Sequence, residues 1–243
     1  MANFAAFNKR LPDPNWGINE AGDGHASNYV EGPGFASVSL ESNQPVAFTK
    51  TLSGRVTTRS IAGHNWKVKI TYNPMTRAQF EPVYNFLQEK RGRLKAFEVV
   101  LPQYSSPQTA ITVTSGTKLL VDGVITAGAT NFKADNHSHA STGSLKPGDM
   151  FTFNDSTSST HKKVYQVTRV LNNTNYLTGG VQPANDERIY YVTPSIEKSV
   201  PNNTELTTTN PIFRVVQTSD IVSYSLGTNN LYEFSLNLEE VQS

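Results

Sequence analysis

Apolar and polar positions alternate with a period of two through most of the chain, and a helical period interrupts them clearly at one place. The cleanest alternation is Trp66–Tyr72, where Trp66, Val68, Ile70 and Tyr72 fall on one face and Lys67, Lys69 and Thr71 on the other. Such a segment predicts an antiparallel strand with one buried and one wet face. Ahead of it, Phe35–Leu40, Val46–Leu52 and Arg55–Ile61 are short runs separated by Gly, Pro, Ser and Asn, and they read as further strands. Directly after it the period changes. Phe80, Val83, Tyr84 and Leu87 stand at i, i+3, i+4 and i+7, one apolar stripe of a helix over about Thr76–Arg91. Thr76 and Gln79 have capping-box spacing, Lys90 and Arg91 suit the negative end of the helix dipole, and Gly92 suits the residue after the C-cap. Pro82 is discordant, because it removes a backbone donor and crowds the preceding turn. It predicts either a kink or a regular helix starting near Glu81.

Ala96–Leu101 reads as a strand closed by Pro102, and the middle of the chain then becomes choppier. Ala110–Thr114, Lys118–Val121, Met150–Asn154, Lys163–Leu171, Ile189–Val192 and Glu205–Thr207 read as short strands, with Asp122-Gly123 as a hairpin signal. A polar stretch, Ala134–Ser144, reads as a loop, and Pro147-Gly148-Asp149 as a turn. Long strands return at Ile212–Gln217, Ile221–Leu226 and Leu231–Leu238. In the last, Tyr232, Phe234, Leu236 and Leu238 share one face.

These segments predict a mainly β protein: an antiparallel β-sandwich with one packed α-helix at about 76–91 and an inserted small β-barrel-like domain. Residues 1–34 form an N-terminal arm or long loop, since 11–34 are rich in Gly, Pro, Asn and Asp and have no apolar period. Residues 35–106 with 208–243 form a discontinuous sandwich carrying the helix, and residues 107–207 form the insertion.

Composition narrows the functional classes. Charged residues are 17% of the 243 and the net charge is +1, so no global field draws the chain to nucleic acid or an anionic membrane. There is no cysteine, which excludes disulfides, Cys-ligated zinc and thiol catalysis. Met1–Arg10 has no apolar core of a signal peptide, and no window approaches a membrane span; a soluble protein made in the cytosol is expected.

Candidate chemistry is sparse. Asp135, His137 and His139, with His161 further on, are the available metal ligands, and His-x-His on a strand would place both rings on one face. They lie in a polar stretch with no complementary carboxylate motif, so a solvated loop is the preferred reading and no metal is expected. No Gly-x-Ser-x-Gly elbow or phosphate-binding Gly-rich loop is present, and Glu239-Glu240 would point to opposite faces of a strand. No catalytic residue and no cofactor are assigned. The run Lys90-Arg91-Gly92-Arg93-Leu94-Lys95 reads as a helix C-terminus rather than a nucleic-acid patch.

The order of motifs resembles a specific family. Tyr72-Asn73-Pro74-Met75-Thr76-Arg77-Ala78-Gln79-Phe80 leads to Phe86-Leu87-Gln88-Glu89-Lys90-Arg91-Gly92 and then Phe97-Glu98-Val99-Val100-Leu101-Pro102. This strand, capped helix ending in Arg-Gly, and strand ending in Pro are similar to the phage distal tail proteins and the lambda-type minor tail proteins related to them. The insertion adds Leu120-Val121-Asp122-Gly123, Leu145-Lys146-Pro147-Gly148-Asp149, Val164-Tyr165-Gln166-Val167 and Thr193-Pro194-Ser195-Ile196. Asn210-Pro211-Ile212-Phe213-Arg214 closes the likeness, which runs over 35–241. Within it the structural core is expected from Trp66, Val68, Ile70, Tyr72, Phe80, Val83, Tyr84, Leu87, Gly92, Phe97, Phe234 and Leu236.

The resemblance implies a structural virion protein, made in the host cytoplasm. It implies a ring, commonly of six copies, at the distal end of the tail tube. It also implies contacts with itself, the tail tube protein, and hub, baseplate or fibre proteins, with no membrane and no specific nucleic acid among its partners. The alternative class is a carbohydrate-binding β-sandwich recognising a host surface glycan, because 22 Tyr and Phe residues could stack on sugars.

Overall fold

The computed structural model describes residues 9–14, 32–60, 63–113, 118–138, 143–154 and 161–241. In chain order the elements are β1 (Phe35–Asn43), β2 (Val46–Lys50), β3 (Val56–Ser60), β4 (Asn65–Tyr72), α1 (Arg77–Lys90) and β5 (Phe97–Val100). They continue with β6 (Leu120–Asp122), β7 (Asn131–Asp135), β8 (Met150–Asn154), β9 (Tyr165–Asn172), β10 (Arg188–Thr193) and β11 (Glu205–Thr207). The chain finishes with β12 (Ile212–Gln217), β13 (Ser225–Leu226), β14 (Tyr232–Glu233) and β15 (Ser235–Glu240). Over the described residues the protein is mainly β with one α-helix, as the periodicity predicts. It divides into two compact units, Met1–Val99 with Arg214–Gln242, and Val100–Phe213.

The first unit is built on a five-stranded sheet of order β1-β4-β15-β12-β5. β4 is central to it, pairing antiparallel with β1 on one side and β15 on the other. Its pleat explains its sequence: Trp66, Val68, Ile70 and Tyr72 are buried, while Lys67 and Lys69 are exposed. β15 repeats the device with Leu236 and Leu238 inward. On the opposite flank, Leu11 is buried and donates its amide to the Glu98 carbonyl at 2.8 Å, so residues 9–11 line β5 as a short parallel bridge.

The helix begins at Arg77, not near Glu81 as Pro82 had made possible. Gln79 reaches back to accept from the Thr76 amide and hydroxyl, both at 3.1 Å, which secures the first turn. The proline deprives only the Ala78 carbonyl of a helical donor, and Ala78 is exposed at the start of the helix, where solvent can take the place of the lost bond. Pro82 itself is buried with Phe80, Val83, Phe86 and Leu87. At the other end Arg91 adopts the left-handed conformation (φ 54°) and Gly92 follows it (φ 62°). An ideal Cβ on Gly92 would stand 2.8 Å from the Asp220 Cα, so glycine serves both the turn and the close approach.

The second unit is a closed six-stranded barrel, β10-β7-β6-β11-β8-β9. Phe132, Phe151, Phe153, Tyr165 and Tyr190 fill it, with ring centroids 5.4–5.9 Å apart. Several details differ from expectation. Ala110–Thr114 is no strand over its described residues; Val113 forms one isolated bridge to His137. Asp122-Gly123 does not make a tight hairpin, because β6 meets β7 only after an eight-residue connection. β7 occupies part of what reads as polar chain, burying Phe132 and Ala134 on its inner face. In the first unit, Ile221–Leu226 contributes only the two-residue β13, and Leu231–Leu238 is divided between β14 and β15.

Candidate assembly surface

Beyond the Asn43–Asn65 pair, β1 and β4 leave the sheet and continue as a separate two-stranded ribbon, β2 paired with β3 from Val46–Ser60 to Lys50–Val56. The root is held by polar cross-links. Asn43 donates to the Asn65 side chain at 2.8 Å, and Ser42 meets the His64 ring at 2.9 Å. Asn65 in turn donates to Glu239 on β15, and His64 packs edge-on against Trp66 at 4.5 Å. The tip is a local turn built by Thr51. Its amide donates to the Arg55 carbonyl at 2.9 Å, its hydroxyl accepts from the Arg55 amide at 3.1 Å, and Gly54 takes φ 81°.

Nothing among the described residues covers this ribbon. Val46 and Val56 are half exposed, Phe48 is 65% exposed, and Leu52 at the tip is fully exposed. The register places Val46, Phe48, Lys50 and Val56 on one face, with Ala47, Thr49, Thr57 and Arg59 on the other. An isolated two-stranded hairpin is marginal in water, and apolar side chains clustered on one normally find a partner. Lys50, Arg55 and Arg59 make the ribbon cationic, with no acid between Gln44 and Ser60.

A second feature lies at the other end of β4. A cavity of about 610 Å³ opens between Thr71–Tyr72, the Ser223–Ser225 segment and the Glu233–Ser235 turn of chain. Tyr72, Tyr224 and Phe234 line this open pocket together with serine and threonine residues and Glu233. The helix supports it from behind: Phe80 stacks on Tyr232 (centroids 4.5 Å, planes 11° apart) and meets Tyr224 at 5.0 Å and Phe234 at 5.7 Å. Tyr224 is still 49% exposed. Burial raises the Tyr72 hydroxyl well above its usual range, and the Asp13 carboxylate adds to the shift.

The residues expected to form the core of the first unit are placed as follows. Trp66, Val68, Ile70, Tyr72, Phe80, Val83, Leu87, Phe97, Phe234 and Leu236 are buried, Gly92 is buried at the helix end, and Tyr84 is half-buried beside Phe80. Phe86, equally buried and edge-on to Phe97 at 5.3 Å, falls just off the i, i+3, i+4, i+7 stripe, and the periodicity missed it. The basic run is not one cationic patch. Lys90 is buried with its ammonium 4.6 Å from the Phe86 ring, and burial lowers its pKa. The Arg93 guanidinium donates to the Thr218 carbonyl.

The histidines depart from the solvated-loop reading. His137 is buried, with Nδ1 2.7 Å from the Asp186 carbonyl and Nε2 2.7 Å from the Tyr190 hydroxyl. Burial pushes its pKa down to about 4, against the Asp186 carbonyl, which favours the charged ring. His161 is also buried, its Nε2 2.8 Å from the Tyr165 hydroxyl. Tyrosines on β9 and β10 therefore draw both rings into the barrel, which no local pattern around either histidine reveals. Asp135 ends β7, and burial together with Asp122 and Asp186 raises its carboxyl pKa. His139 lies outside the described residues. Among the described residues no group of three His, Asp or Glu side chains is arranged to hold a metal ion, and no described helix is long and apolar enough to cross a membrane.

A family model described as distal tail protein pb9, A domain, N-terminal, matches residues 23–104, the segment that contains the ribbon, β4, the helix and β5. Distal tail protein pb9 of Escherichia phage T5 is 27% identical over 234 residues, which are 95% of this chain and 98% of the relative. The chain is thus similar to phage distal tail proteins, as its motifs from Tyr72 to Pro102 suggest, and the likeness supports a structural role in a phage tail.

Proposed function

We propose that this chain is a ring-forming subunit at the distal end of a phage tail, where copies associate with one another and anchor hub, baseplate or fibre proteins beneath the tail tube. It acts mechanically, with no catalytic step. It resides in the virion tail after synthesis in the host cytoplasm. The resemblance to distal tail proteins supplies the location and the expected order of six.

The observation that carries the self-association is the β2–β3 ribbon. It is firmly rooted at Asn43, Asn65 and His64, yet it presents Phe48 and Leu52 to solvent with no third strand beside it among the described residues. A free monomer gains nothing from so exposed a pair, whereas a neighbouring subunit would remove both from water. β1 adds a nine-residue sheet edge whose pairing among the described residues is with β4 alone.

Sedimentation of the purified full-length protein over a range of concentrations tests this. A shift from monomer to one discrete higher species supports the ring. A protein that stays monomeric while binding a sugar on a glycan array would replace it with the carbohydrate-binding reading, for which the half-exposed Tyr224 and its neighbouring hydroxyls would be the natural platform.

A further inference from the structure

We infer that the ribbon tip of one copy docks in the aromatic cavity of the next, so that the two ends of β4 form the two halves of one head-to-tail interface. The inference rests on the ring reading and specifies its contact.

Three observations converge on it. The first is placement. The ribbon leaves the sheet at Asn65 and the cavity opens at Thr71–Tyr72, so donor and acceptor lie at opposite ends of one eight-residue strand. They are separated by roughly 24 Å at the usual strand rise. Surfaces at opposite ends of a subunit pair in a heterologous way, and such contacts close into a ring when the rotation between copies permits.

The second is shape and polarity. The tip offers one fully exposed Leu52 with Phe48 behind it, and the open pocket of about 610 Å³ offers the half-exposed Tyr224 ring beside the buried Tyr72 and Phe234. A branched apolar side chain seated against the Tyr224 ring removes both surfaces from water at once. The Phe80 stack holds the Tyr224 wall in place before any partner arrives, so little ordering is required on docking.

The third is charge. Lys50, Arg55 and Arg59 are the only charged residues from Gln44 to Ser60, and the charged residue lining the cavity is Glu233. A cationic ribbon and an acidic rim attract each other, while two ribbons repel, which disfavours symmetric ribbon-to-ribbon dimers.

The natural absence of cysteine makes the test direct. Full-length Leu52→Cys and Ser225→Cys variants, carrying different tags, are mixed under mild oxidation and resolved on a non-reducing gel. The expected result is a disulfide-linked heterodimer in the mixture, and for the double variant a covalent ladder ending at the order of the ring. Leu177→Cys, exposed on the second unit, serves as the control partner. Equal coupling of Leu52→Cys to Leu177→Cys and to Ser225→Cys overturns the inference. So does the absence of coupling under conditions where the unmodified protein forms rings, and in that case the ring reading stands while the pairing falls. A protein that forms neither rings nor cross-links overturns both.

Discussion

Replacing Phe48 and Leu52 together with serine separates folding from assembly. Phe48 is 65% exposed and Leu52 fully exposed, so serine at both positions removes almost no contact from the subunit. Exposed substitutions of this kind stay within about 0.5 kcal/mol each, and the melting temperature should hold within a few degrees. Association is a different matter. Full burial of a Leu or Phe side chain contributes about 1.5–3 kcal/mol. The interface can still bury nearly all of Leu52 and about two-thirds of Phe48, which amounts to about 2.5–5 kcal/mol for each subunit contact. At 1.4 kcal/mol per decade, the contact should weaken by roughly a hundred-fold to a few thousand-fold. Differential scanning fluorimetry and analytical ultracentrifugation on the same samples read the two quantities side by side. An unchanged melt with loss of the assembled species agrees with the reasoning. A markedly lowered melt with the assembly intact would refute it, because the two side chains would then belong to the fold and not to an interface.

Three further outcomes follow from the interior. His137 has a pKa of about 4 when folded against an ordinary 6.5, so the unfolded chain takes up the proton first and stability falls with acid. The loss should open below pH 6.5, grow through pH 5 and level off below about pH 4 at roughly 3 kcal/mol; an NMR titration placing the His137 midpoint near 6.5 would contradict it. Phe80→Ala, which deletes the ring behind the cavity, should cost about 3–5 kcal/mol in urea unfolding, and a cost below about 1 kcal/mol would show that the aromatic stack does not hold the first unit together. Gly92→Ala should lose about 2 kcal/mol or more from the left-handed backbone and the approach to Asp220, while Gly54→Ala, with φ 81° but nothing within 4 Å, should lose less; equal costs for the two would discount the Asp220 contact.

What was legible in the sequence depends on whether a residue's burial is decided by its neighbours along the chain. In β4 it is, since every second residue meets the same core, and Trp66 to Tyr72 reads correctly from period alone. The helix is legible for a similar reason, and the Gln79 cap outweighed the objection raised by Pro82 because the bond lost falls on exposed Ala78. Burial that depends on distant partners is not legible. His137 and His161 stand in polar surroundings along the chain, yet Tyr190 and Tyr165 accommodate them inside the barrel. β7 needs only Phe132 and the small Ala134 inward, too little apolar signal to mark a strand. Val222, Tyr224 and Leu226 mislead in the opposite sense, alternating like a strand while Tyr224 and Leu226 remain exposed. The ribbon is a mixed case. Its two strands are readable as β2 and β3, but a period of two does not reveal that its apolar residues are left largely exposed among the described residues.

Self-association into a closed ring can be seen by electron microscopy of the purified full-length protein. Class averages should show closed rings with one rotational order, six by the resemblance, and none for the Phe48→Ser, Leu52→Ser variant at the same concentration. Isolated particles of single-subunit size for the unmodified protein, across every concentration and with tail tube protein added, would contradict it.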